Sequence, residues 1–79
     1  MIKEQQIIAE IKKLNLSKKE KKRMFKIVDV IDVNRKRKIM PLVSLVKLIK
    51  INNCNITRFV IGPDWNRILF IDLDMEFKE

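Results

Sequence analysis

The sequence of 79 residues predicts one small α+β domain, with three N-terminal helices followed either by a short β-hairpin or by one further helix and a strand. Three observations carry this reading. Apolar residues recur at helical spacing in three successive segments of the first two thirds of the chain. Ser17 and Glu20 stand at the spacing of a capping box, which marks a helix start. Beyond Arg67 the pattern changes to strict alternation, which belongs to a half-buried strand.

The first helix is expected over Ile2 to Leu14, where Ile7, Ile8, Ile11 and Leu14 form one stripe and Asn15–Leu16 interrupt the run. The second is expected over 18–32. Met24, Phe25, Ile27, Val28 and Ile31 make its apolar face, and Lys18, Lys19, Lys21, Lys22, Arg23 and Lys26 crowd its first turns. Cations at that end oppose the helix dipole, so the cluster costs stability locally. Arg35-Lys36-Arg37-Lys38 cannot share one helix face, so a loop or a short strand near 37–40 is expected there. Pro41 suits the first turn of a third helix, 41–51, since its missing N–H has no helical partner there. Leu42, Leu45, Val46 and Ile49 form the stripe of this helix, which is apolar on most sides and should be central. Asn52-Asn53 can stop it, because Asn tolerates the left-handed conformation.

Residues 53–61 have two competing readings. Ile56-Thr-Arg-Phe-Val-Ile61 is rich in β-branched and aromatic residues, which favours a strand. Gly62-Pro-Asp-Trp65 is a turn signal. From Arg67 to Phe77, Leu69, Ile71, Leu73, Met75 and Phe77 point one way, and Phe70, Asp72, Asp74 and Glu76 the other. A hairpin 56–61/67–76 follows. The other reading makes 53–61 a helix.

Composition narrows the function classes. Apolar residues are 47% and charged residues 35%, too apolar for a disordered chain. A domain this short has a thin core, so a homodimer is one way to cover more of it. The chain carries a net charge of +8, unevenly placed. Lys12 to Lys38 holds twelve Lys/Arg against three acids, a local +9; Asp64 to Glu79 holds two against five, a local −3. Such a directional field suits a polyanion on one side, with nucleic acid the commonest. Cys54 is the only cysteine, so no intramolecular disulfide forms, which favours a reducing cytoplasm. MIKEQQII has no apolar signal region, and no apolar run nears the ~20 residues that span a bilayer. No membrane association is expected.

Catalysis finds little support: there is no His and no Gly-rich phosphate loop, and neither an enzyme nor a cofactor is expected. Asp72, Asp74 and Glu76 would project from one side of a strand at ~7 Å steps. They read as a solvent face or as partners for the chain's own lysines, with a divalent metal as the sharper alternative. Cys54 reads as a small turn or core residue. Trp65 reads as a cap on the core, or as a contact site if exposed.

The run Leu42 to Ile61 also resembles a helix-turn-helix DNA-binding motif over 20 of 79 residues. Leu45, Ile49 and Ile51 match the apolar positions of its first helix, and Ile56 and Phe59 the two anchors of its second. Lys50 stands where the family usually has Gly, and Val46 where it usually has a small residue. With its surroundings the chain looks winged-helix-like: three N-terminal helices, then a recognition helix over 53–61 and a wing strand over 67–77. The resemblance implies that Asn53, Asn55, Thr57 and Arg58 face bases or phosphates. Lys18, Lys19, Lys21, Lys22, Arg23 and Arg35, Lys36, Arg37, Lys38 would supply phosphate contacts, although both clusters also read as solvated surface. The expected function is a small basic, non-enzymatic nucleic-acid-binding protein. Its expected partner is double-stranded DNA, and by analogy it would be a regulator of a phage or other mobile element. A small inhibitor or adaptor that targets a host protein is the alternative.

Overall fold

A computed structural model describes residues 4–62 and 68–78. The chain runs α1 (Glu4–Lys13), α2 (Lys18–Lys26), β1 (Val28–Ile31), β2 (Arg37–Met40), α3 (Leu42–Asn52), β3 (Ile56–Ile61) and β4 (Leu69–Leu73). The expected Gly62–Trp65 turn beyond Gly62 and the position of Trp65 lie outside the described residues.

Local signals explain the helix ends. Ser17 caps α2 by accepting from the Glu20 backbone N–H, while the Glu20 carboxylate reaches back to the Ser17 N–H. Pro41 caps α3 at its start, and Asn53 ends it in the left-handed conformation at φ 50°. Its N–H donates to the Ile49 carbonyl.

The four strands form one mixed sheet in the order β2-β1-β4-β3. β1 and β2 form an antiparallel hairpin, and so do β3 and β4. The two hairpins join through the parallel pair β1–β4, with Val28 beside Leu69 and Val30 beside Ile71. A parallel pair needs a crossover, and α3 lies on it, carrying the chain from edge strand β2 to edge strand β3. One sheet face carries Val28, Val30, Ile56, Leu69, Ile71 and Leu73, and these pack with Ile7 and Ile11 of α1, Met24 of α2 and Leu42 and Leu45 of α3.

The winged-helix-like arrangement is thereby corrected. Residues 56–61 are an edge strand paired with β4, so no recognition helix occupies 53–61, and the strand expected as a wing over 67–77 is β4, a central strand of a four-stranded sheet that spans Leu69–Leu73. Two helices, not three, precede the first strand. The helix expected over 18–32 stops at Lys26, and Ile27 already has an extended backbone. Ile27-Val28-Asp29-Val30-Ile31 satisfies helical spacing and alternation alike; pairing with β2 and β4 decides for strand. The central role expected of α3 is also trimmed, since Val43 and Ile51 lie exposed on it.

Candidate nucleic-acid interface

α2 concentrates positive charge. Its nine residues carry six cations and one acid, Glu20. Met24 fixes the helix to the core, which turns Lys18, Lys19, Lys22, Arg23 and Lys26 to solvent. The Glu20 carboxylate is engaged by the cap through the Ser17 hydroxyl at 3.0 Å and its N–H. Lys21 is half-buried and donates from Nζ to the Lys12 carbonyl at 2.9 Å, tying the end of α1 to α2. Lys12 and Lys13 therefore border the cluster, with Lys13 in an exposed pair with Glu10 at 3.5 Å.

The second basic run is dispersed by the β1–β2 hairpin. Asp32 organises its loop: one carboxylate oxygen accepts the N–H groups of Asn34 at 2.9 Å and Lys36 at 2.8 Å. Arg35 takes the left-handed conformation at φ 65° and lies 3.9 Å from the Asp72 carboxylate. Arg37 pairs through two guanidinium nitrogens with both oxygens of the nearly buried Asp29, and its guanidinium lies 6.0 Å from the Phe70 ring centre. The Asp29 hydrogen bond, with its charge, holds Arg37 more firmly protonated than an ordinary arginine. Lys38 falls on the opposite, helix-bearing face, 4.9 Å over the Phe77 ring. Alternation along β2 thus sends Arg37 and Lys38 to different sides.

The residues assigned to base reading run from the end of α3 into β3, and the side chains of two of them, Asn55 and Thr57, are hydrogen-bonded within the fold. Asn53 is the cap of α3. The Asn55 backbone N–H and side-chain amide both donate to the Asp74 carboxylate, at 2.7 and 3.1 Å. These two bonds hold Asp74 below the usual carboxylate range. Thr57 sits at an irregularity in the β3–β4 register and donates from its hydroxyl to the Asp72 carbonyl at 3.3 Å. Arg58 lies beside Asp72 on the sheet face away from the helices.

That second sheet face is a feature the sequence reading missed. Register places Ile39, Asp29, Phe70 and Val60 in one row across it, and Arg37, Ile31, Asp72 and Arg58 in the next. Alternation puts Phe70 on the polar side of β4 with Asp72, and its cross-strand neighbour Val60 gives it apolar company there. Asp72 and Asp74 turn to different partners. Among the described residues, no group of three His, Cys, Asp or Glu is placed to hold a metal ion, and no helix is long and apolar enough to cross a membrane. No family model matches the chain, and neither a curated protein nor a solved structure matches it.

Proposed function

We propose that this chain is a nucleic-acid-binding module that grips the phosphate backbone with the solvent face of α2. One observation carries the reading. Five of the six cations in the nine residues of α2 lie exposed, and its single acid is occupied by the helix cap. Phosphate contacts supply most sequence-independent affinity through counterion release. Lys12 and Lys13 extend the same surface across the α1–α2 junction, which the Lys21–Lys12 hydrogen bond fixes. Duplex DNA is the first ligand to test. Binding is backbone-led, because Asn55 and Thr57 are engaged within the fold and the segment 56–61 that would have read bases is a strand.

Titration of a labelled random-sequence duplex across salt concentrations tests this. Affinity should fall steeply with salt, and replacing Lys18, Lys19 and Lys22 together by Gln should flatten the log–log slope by about three. These side chains are exposed and sit at the positive end of the helix dipole, so the variant should keep its thermal midpoint or raise it slightly. An unchanged slope, or no binding at low salt, overturns the reading.

A further inference from the structure

Among the described residues, the helices pack against one face of the sheet only. An antiparallel or mixed sheet that turns its second face to water ordinarily shows polar side chains there. Here that face carries four apolar side chains: Ile39, 71% exposed, Val60, 37% exposed, and the half-buried Ile31 and Phe70. Ile31, Val60 and Phe70 line a shallow hollow together with Arg35, Arg58 and Asp72.

The charges around this apolar centre are balanced, unlike those of the chain as a whole. Arg37 is paired with Asp29, Arg35 lies 3.9 Å from Asp72, and Arg58 is the cross-strand neighbour of the same Asp72. Among the described residues, three cations face two anions, so this face carries only +1 of the net +8. Two copies of so basic a chain repel through most of their surface, but here repulsion is weak. A face that presents both signs beside an apolar centre is also complementary to itself, as a twofold interface requires. A polyanion would meet two carboxylates in the same place.

We propose that the open sheet face, centred on Phe70 and Val60, is where a second copy of this chain docks, sheet against sheet. Arg58 and Asp72 of each copy then lie near the oppositely charged group of the other, and Phe70 and Val60 leave water. The α2 clusters stay outermost on both copies. The proposal stands independently of nucleic-acid binding. Four strands about 4.8 Å apart and four to six residues long present a face of roughly 20 by 15 Å. That is small beside the ~800 Å² per partner of a standard interface, so the association is weak and concentration-dependent.

Sedimentation equilibrium of the full chain from micromolar to millimolar concentration, at moderate salt, is the test. The average mass should rise from 9.5 kDa toward twice that value. Val60→Lys should weaken association by at least about tenfold while keeping the native circular dichroism spectrum and thermal midpoint. In parallel, backbone amide shifts of Ile31, Ile39, Arg58, Val60 and Phe70 should move on dilution, and those of α2 should hold. A mass that stays at 9.5 kDa throughout, or association undiminished in folded Val60→Lys, overturns the proposal. So does a monomer in which those same amides move only when a single-stranded oligonucleotide or another protein is added.

Discussion

The carboxylate of Asp32 accepts the backbone N–H of Phe77 at 2.8 Å, a hydrogen bond that spans 45 residues of sequence. Its other oxygen holds the β1–β2 loop through Asn34 and Lys36. One buried side chain thus ties the first hairpin to the C-terminal segment, beside the Val33 N–H to Met75 carbonyl bond at 3.0 Å. In Asp32→Asn one acceptor becomes an NH₂ group facing N–H donors, so at least one bond is lost. The variant should melt several degrees lower. Amide hydrogen exchange should quicken at Phe77 or at Asn34 and Lys36, while the core strands keep their protection.

The same geometry sets a pH dependence. Burial alone would raise the Asp32 pKa, but the N–H groups of Phe77, Lys36 and Asn34, with the Lys36 charge, outweigh it and hold the carboxyl below its ordinary value. Asp74 is lowered by the Asn55 backbone N–H and then by the Asn55 side chain. Both folded values lie below the unfolded value of about 3.9. Their stabilisation is therefore complete above that value and is lost as pH falls through the folded pKa values. Urea midpoints should be steady near neutrality and drop at strongly acid pH. The drop should be shallower for Asp32→Asn, whose starting stability is lower.

Arg37 and Asp29 form a pair of unequal exposure: the guanidinium is largely in water and the carboxylate is nearly buried. Removing the cation leaves the buried charge without its partner, which costs more than the net worth of the pair. Arg37→Met should therefore destabilise clearly, and Arg37→Met with Asp29→Asn should recover part of the loss. Arg37→Lys should rank between wild type and Arg37→Met, because an ammonium cannot reproduce the two-nitrogen fork. Thermal midpoints of the four chains check the order.

What the sequence made legible follows from how local each cause is. The Ser17–Glu20 box, the Asn53 stop and the alternation of Leu69, Ile71 and Leu73 are decided within a few residues, and each is present. Ile27 to Ile31 was misread because its apolar spacing fits two periods, and the choice is made by Leu69 to Asp72, about forty residues away. The positive charge of α2 was equally plain. The open sheet face was not: the hairpin 56–61/67–76 is one of the two expected readings, but that Val60 stands beside Phe70, and Phe70 beside β1, is set by register across three strands. Asp29 gave no sign of its pairing with Arg37, which depends on the β1–β2 register and on side-chain orientation.

Cys54 offers a probe of local opening. It lies buried at the start of the segment that leads into β3, and burial, followed by the Asp74 charge, pushes its thiol above the ordinary range. Both effects suppress the thiolate, which is the reactive form. A thiol reagent at mildly alkaline pH should react slowly with the native chain and at the rate of a free thiol in urea. Weakening the Asn55–Asp74 bonds with Asn55→Ala should speed the native reaction, since those bonds hold the backbone next to Cys54.

The last prediction separates core from surface within one residue type. Ile71 is fully buried at the centre of β4, flanked by Val30 and Phe59 in register, whereas Ile51 on α3 is 82% exposed. Ile71→Ala removes three methyl or methylene groups from a close-packed site, at a cost of about 2–5 kcal/mol. A domain of this size commonly has stability at the lower end of about 5–15 kcal/mol, so that variant should be largely unfolded or close to it. Ile51→Ala leaves no cavity and replaces a β-branched residue by the best helix former, so its change should stay within about 0.5 kcal/mol. Urea denaturation of both chains measures the contrast. Equal losses would mean that α3 buries Ile51 against something other than the sheet.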